Sequence, residues 1–394
     1  MRALVVTAMI GDANVFIPVA DRLKGGVDFF VVAEGLSPAR WTQAGYSIIG
    51  GEPKEGRFDP NTKIRFDIDP EQVLREVRPD VVMTGLAEPN HLTKLFALEA
   101  NKQDIALIFV EDIWGVHKRS EARPAAICTL DGFGEHMALK HYDPDHDRLV
   151  GERDPVSGYF NDLPASKAPP IYITGSPAMD SLQSVQPHPQ VEKLIRGRGM
   201  SVLFLGQDES TTPALEGLVE ALRGVDDSVL IPRFHPKWMA DPSKAEHRAR
   251  WENALLGIKD QSRVLWSMPP EAKAEQVIRS VDVVVSIYST GLLQAAMMGK
   301  CAVSWNSLVG RKKMLEGIGL EHFPLTQSGA AIEVWSPGDF ASKVPLPGSP
   351  EHSKFVTAAQ QKVGGDCKST DRVAKVVLDI IKACRRVRGQ AERV

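Results

Sequence analysis

A chain of 394 residues is longer than one hydrophobic core usually spans, so two domains are expected. Its 43% apolar and 25% charged residues are those of an ordinary globular protein, not a disordered or fibrous one. A net charge of −3 argues against nucleic-acid binding. The four cysteines (Cys128, Cys301, Cys367, Cys384) are scattered and form no C-x-x-C pair, which reads as reduced thiols of a cytoplasmic protein.

The first residues, MRALVVTAMIG, read as a strand over Ala3–Thr7 rather than a secretory signal. No window approaches the roughly 18 apolar residues of a bilayer span. The loop MIGDAN leads to a helix near Val15–Lys24, then the strand VDFFVVAEG, a helix around Pro38–Ala44 and YSIIGG. A polar insertion, EPKEGRFDPNTKIRFDID, precedes a helix over Pro70–Val77. PDVVMTG and IALIFVEDIWG read as strands separated by the helical stretch His91–Lys102, and PAAICTLDGFG and PPIYITGSP close the first half. After the polar, proline-containing stretch Gln183–Gln190 come the strand MSVLFLGQDES and a helix over Pro213–Arg223. SVLIPRFHP, RVLWSM, VDVVVS and KCAVSW read as further strands, with a helix over Ala272–Ser280 and another over Arg372–Arg386. The tail KACRRVRGQAERV reads as a helix end whose cations complement the dipole; weak attachment to anionic lipid is the other reading, so membrane contact is at most peripheral.

Continuous apolar strands separated by helices imply parallel sheets covered on both faces. The expected fold class is α/β, with two Rossmann-like halves meeting near residue 180 and ligands at the carboxyl ends of the strands. Within VDVVVSIYSTGLLQAAMMGK, Ser286, Ser289 and Thr290 stand where a buried strand turns into a helix at Gly291. A helix start offers free N–H groups and a positive dipole end, which suits a phosphate. A hydroxyl there is also an ordinary N-cap. In Arg233-Phe234-His235-Pro236 the proline restricts His235 to extended conformations and aims its imidazole. Glu111 and Asp112 form a carboxylate pair leaving a buried strand, and His117, Lys118 and Arg119 just beyond read as an exposed basic turn. The segment DPDHD at 143–147 has no regular ligand spacing, so no metal site is expected. No Walker loop and no G-x-G-x-x-G follows the first strand.

Taken in order, GDANVFIPVADRL, VRPDVVMTG, IALIFVEDIWG, ITGSPAMDSL, RFHP and DVVVSIYSTGLLQAAMMGK resemble the GT-B superfamily of nucleotide-sugar glycosyltransferases and UDP-GlcNAc 2-epimerases over nearly the whole chain. The resemblance implies a GT-B fold of two Rossmann-like domains with mostly parallel sheets facing a central cleft. An acceptor-side domain would cover 1–180 and a nucleotide-donor domain 181–370, followed by a C-terminal helix and basic tail over 371–394. Asp12, in the loop after the first strand, would be a catalytic base or a helix cap. Glu111 matches a strand-end glutamate of the epimerases. His235 resembles the histidine–proline motif of glycerophosphotransferases and polysialyltransferases, and would bond or protonate the leaving phosphate. Ser286, Ser289, Thr290 and Gly291 would cradle the donor phosphates, with Gly206 bordering them. Trp266, Ser267 and Met268 match where such proteins hold the base, and Gln294 stands where many carry a ribose-binding glutamate.

The implied activity is a metal-independent glycosyltransferase moving a sugar, or a polyol phosphate, from a nucleotide-activated donor to a glycan, lipid-linked or other hydroxyl acceptor. No cofactor beyond the donor is implied, and homo-oligomer formation is left open. An epimerase or related hydrolase is the first alternative. Against it, Gly85-Leu86-Ala87 lacks the aspartate that epimerases carry after glycine, and Ser289-Thr290-Gly291 with Gln294 replaces their glycine pair and glutamates. The second alternative is a non-catalytic nucleotide- or glycan-binding protein.

Overall fold

Alternating strand residues divide between two apolar layers in the amino-terminal sheet. Ala3 and Val5 join one buried cluster, whereas Leu4 and Val6 join another on the opposite face. This period-2 division explains why the strand reads as continuously apolar: both faces are covered. The computed structural model describes residues 1–35, 37–49, 68–85, 92–143, 168–235, 242–266, 272–363 and 366–391. The chain divides into two compact units, Met1–Asp180 with Asp366–Val394, and Ser181–Gly365.

Unit 1 carries six parallel strands in the order β2-β1-β3-β4-β5-β6. They are β1 Arg2–Thr7, β2 Asp28–Ala33, β3 Val81–Thr84, β4 Ala106–Val110, β5 Ala126–Thr129 and β6 Ile171–Ile173. One face is covered by the helix Ile10–Leu23 and the final helix Ser369–Ala391, the other by the helices Pro70–Val77 and Leu92–Lys102. The final helix thus completes unit 1 instead of standing as a segment of its own. Its residues Val373, Val377 and Ile381 recur every fourth position and are fully buried in the unit 1 core. Asp180 accepts hydrogen bonds from the Ser369 and Thr370 N–H groups at its start, and Arg385 pairs with Asp80 near its end.

Unit 2 has five parallel strands in the order β11-β10-β9-β7-β8: β7 Met200–Gly206, β8 Ser228–Phe234, β9 Val283–Ser286, β10 Cys301–Trp305 and β11 Ile332–Val334. Two local expectations differ from the outcome. RVLWSM supplies only an isolated bridge between Val264 and Leu230, because the chain leaves the sheet edge after one pairing. β11 was not expected; its three residues are too few to leave a periodic signal.

Candidate functional site

In unit 2 every strand from β9 to β11 hands over to a helix capped by a serine. Ser289 Oγ accepts the Gly291 N–H at 3.1 Å, Ser307 the Gly310 N–H at 3.0 Å, and Ser336 the Asp339 N–H at 3.1 Å. Capping is therefore the local rule of this edge, and the Ser289 hydroxyl serves the helix Thr290–Met297 first. Thr290 and Gln294 lie on that helix, both half-buried. Gly291 is fixed by packing, since an added Cβ would overlap Leu205 Cδ1.

Ser286 departs from expectation. It is fully buried and donates to the Leu205 carbonyl at 2.7 Å. Its register partner on β10, Ser304, donates likewise to the Ile287 carbonyl at 2.7 Å. Two paired strands use the same device to satisfy carbonyls where the ladder ends, which leaves Ser286 no ligand-facing role.

His235 is exposed, and its N–H donates to the Gly206 carbonyl at 2.8 Å, tying the end of β8 to the end of β7. A Cβ at Gly206 would stand 2.5 Å from the Phe234 ring, so this glycine makes room for Phe234. Phe234 in turn stacks on Trp251 with centroids 4.0 Å apart, and the half-exposed Trp266 tilts beside it at 6.3 Å. Ser267 and Met268, and Pro236 of the histidine–proline motif, lie outside the described residues. Gly206 and His235 thus stand at the ends of β7 and β8, and Ser289, Thr290, Gly291 and Gln294 in the cap and helix that follow the adjacent β9.

Two features of this edge were not anticipated. Asp208, in the loop after β7, accepts from the Ser210 N–H and hydroxyl through Oδ1, and from Tyr288 Oη (3.1 Å) and Lys313 Nζ (2.7 Å) through Oδ2. Burial pushes its carboxyl up, but the Lys313 and Ser210 bonds outweigh this and hold it below the usual range. The second feature is Glu333 on β11, which accepts from His322 Nδ1 at 2.8 Å and from Asn306 Nδ2 at 2.8 Å. Sequence separations of 80 and 105 residues around Asp208, and 11 and 27 around Glu333, carry no signal readable from the chain.

Unit 1 gathers carboxylates at its strand ends. Asp12 is 2% exposed, and its Oδ2 accepts the Ala8 and Met9 N–H groups, both at 3.1 Å. The Asp12 Oδ1 lies against Gly85, at the end of β3, where an added Cβ would overlap it. Asp112 is half-buried, and its Oδ2 lies 2.6 Å from where a Cβ on Gly11 would sit. Glu111 is fully buried: Oε1 accepts the Gly115 N–H and meets His117 Nδ1, both at 3.1 Å, and Oε2 accepts the Leu130 N–H at 3.4 Å. Its carboxylate therefore braces the loops after β4 and β5, which does not suit the expected role of a base open to substrate. His117 is buried with it rather than lying on an exposed turn, and its Nε2 has no hydrogen-bond partner. The run His117-Lys118-Arg119 reads as an exposed basic turn because two cations follow the histidine, and nothing in the run shows that its ring turns inward to Glu111.

Of the 143–147 acidic stretch only Asp143 is described, and among the described residues no group of three or more His, Cys, Asp or Glu side chains is placed to hold a metal ion. A cavity of about 560 Å³ in unit 1 is lined by Pro70, Leu95, Leu98 and Glu121, and by none of the residues above.

Neither the scan against protein-family models nor the search of curated proteins gives a match. Solved structures do match over almost the whole chain. A UDP-GlcNAc 2-epimerase from Neisseria meningitidis bound to UDP-GlcNAc aligns with a TM-score of 0.63 at 13% identity, covering 96% of this chain and 100% of the other. A UDP co-structure of MnaA from S. aureus aligns with a TM-score of 0.63 at 12% identity, covering 97% and 98%. A glycosyltransferase from Rickettsia africae aligns with a TM-score of 0.59 at 13% identity, covering 97% and 98%. Two parallel sheets with helices on both faces, and these alignments, establish that the chain has the GT-B fold.

Proposed function

We propose that the protein is a glycosyltransferase that needs no metal ion and moves a sugar, or a polyol phosphate, from a nucleotide-activated donor to a hydroxyl acceptor. The observation that carries this reading is the edge of unit 2, where exposed His235 and the capped start of the helix Thr290–Met297 flank the end of β7. β8 and β9 are two inter-strand steps apart, about 10 Å, a span that a nucleoside diphosphate bridges. Ser289 takes the Gly291 and Leu292 N–H groups, and the helix start offers the positive end of its dipole to one phosphate. His235 supplies a donor or a proton for the oxygen that gathers charge as the nucleotide leaves. Trp266, half-exposed on the β8 side, is a surface for the base, and Gln294 lies one helical turn beyond the cap. The solved structures with this fold support the donor class, since two of them hold UDP or UDP-GlcNAc. The acceptor is proposed to be a glycan or a lipid-linked hydroxyl.

Epimerization of UDP-GlcNAc is the second reading, favoured by the fold likeness to the epimerase from Neisseria meningitidis. Incubation with UDP-GlcNAc alone separates the two. An epimerase equilibrates the sugar without any acceptor, whereas the transferase releases UDP slowly by hydrolysis and leaves the sugar's configuration at the second carbon unchanged. Appearance of the epimer would overturn the transferase reading.

A further inference from the structure

Two imidazoles among the described residues are bonded through Nδ1 to a glutamate. The His117–Glu111 pair is fully buried, but the His322–Glu333 pair is not: the His322 side chain is 42% exposed. The exposed pair is braced by a side-chain amide. The Ser307 N–H donates to Asn306 Oδ1 at 2.9 Å, which fixes the amide so that its Nδ2 donates to Glu333 Oε1 at 2.8 Å. Glu333 then receives His322 Nδ1 on both oxygens, at 2.8 and 3.1 Å. Backbone fixes amide, amide fixes carboxylate, carboxylate fixes imidazole. With Nδ1 so engaged, Nε2 is the nitrogen left to meet a substrate and take its proton. The Trp335 ring stands edge-on to the imidazole at 6.5 Å and is itself partly exposed.

Position adds to geometry. Asn306 directly follows β10, and Glu333 lies on β11, so the dyad occupies the same sheet edge as the Ser289 cap on the neighbouring strand. β11 and β9 are two inter-strand steps apart, about 10 Å. The two carboxylates expected to act as base, Asp12 and Glu111, are both buried and accept backbone N–H groups.

We propose that His322, held by Glu333 and Asn306, is the proton acceptor of the transfer reaction; this rests on the donor site assigned under Proposed function. As the acceptor oxygen forms its bond to the sugar carbon, its O–H proton passes to His322 Nε2. The bond from that carbon to the donor phosphate oxygen breaks, and its electron pair leaves on the nucleotide; with a polyol-phosphate donor the acceptor oxygen bonds instead to the outer phosphorus, and the bond from that phosphorus to the bridging oxygen breaks, releasing the nucleoside monophosphate. The imidazolium then returns its proton to solvent. In hydrolysis, water takes the place of the acceptor.

The test follows nucleotide release from UDP-GlcNAc, UDP-glucose, GDP-mannose, CMP-sialic acid and CDP-glycerol, by the full chain and by H322Q, H322G, E333Q and D112N. With a donor that turns over, H322Q loses about 100-fold in kcat with KM little changed, the typical worth of a general base. The rise of rate with pH disappears, and added imidazole restores H322G. E333Q loses less, because the imidazole keeps its position but not its counter-charge. H322Q with wild-type kcat and pH profile overturns the inference while leaving the donor site intact, and a D112N loss in its place assigns the proton to Asp112. Failure of the wild type to release nucleotide from any of these donors overturns this inference and the transferase reading together.

Discussion

The two sheets end in opposite chemistry. At the strand ends of unit 1 stand Asp12, Glu111 and Asp112, and the first two are spent on backbone N–H groups. The strand ends of unit 2 carry serine caps, two reachable imidazoles (His235 and His322) and the Lys313–Asp208 pair. Carboxylates that accept from loop backbone hold a fold in shape. Imidazoles present donors, and helix starts present the positive ends of their dipoles, which is what an anionic substrate requires. The difference teaches that similar parallel sheets need not do similar work: in unit 1 Asp12 and Glu111 stabilise turns, and in unit 2 a subset of the polar groups faces outward.

That contrast can be broken most severely at Gly291 and Asp12. Gly291→Val drives a branched side chain into Leu205, so a loss of 1–3 kcal/mol or more is expected, roughly the cost of overpacking, read as a drop in urea midpoint. Asp12→Asn removes charge-assisted bonds to two N–H groups and should cost about 1.5–3 kcal/mol, with a lowered Tm whether or not nucleotide is present. A D12N variant of full stability would show that the carboxylate is not structural. Ser286 and Ser289 sharpen the comparison within unit 2. Ser286→Ala leaves the Leu205 carbonyl unsatisfied and should lower stability by about 1 kcal/mol without changing nucleotide affinity. Ser289→Ala removes a cap worth about 1 kcal/mol and should weaken nucleoside diphosphate binding as well, measured by calorimetry.

The smallest effect is in acid. Asp208 and Asp80 are both held below the usual aspartate range. In each case burial opposes the shift and bonding to Lys313, or to Arg385 and the Arg2 N–H, outweighs it. A carboxyl with a lower pKa folded than unfolded binds fewer protons in the native state, so its contribution is complete above the unfolded value and lost as pH falls through the folded one. Stability should therefore decline below about pH 4, and a D80N variant should show a shallower decline. Equal slopes for D80N and wild type would remove Asp80 from this account.

Much of this was legible in the chain because it is local. The strand from Arg2, the helix Pro70–Val77 and the serine before Gly291 are written in contiguous apolar runs and caps. The division of labour among polar groups was not legible. Ser286 and Ser289 are three residues apart and of one type, yet one meets a carbonyl 81 residues away and the other caps its own helix. Glu111 looked catalytic because it ends a buried strand, and only the Gly115 and Leu130 N–H groups reveal what it holds. His322 gave no signal, since its carboxylate sits on a three-residue strand and its amide brace comes from the residue that follows β10.

The claim on which all else depends is that the edge of unit 2 binds a nucleoside diphosphate. Titration calorimetry of wild type and His235→Ala with UDP, CDP, GDP, dTDP and inorganic pyrophosphate tests it directly. We predict that at least one nucleotide and pyrophosphate bind the wild type, and that H235A weakens both about tenfold or more while retaining its fold. Absence of binding by any of these ligands, or equal affinity in H235A, would contradict it.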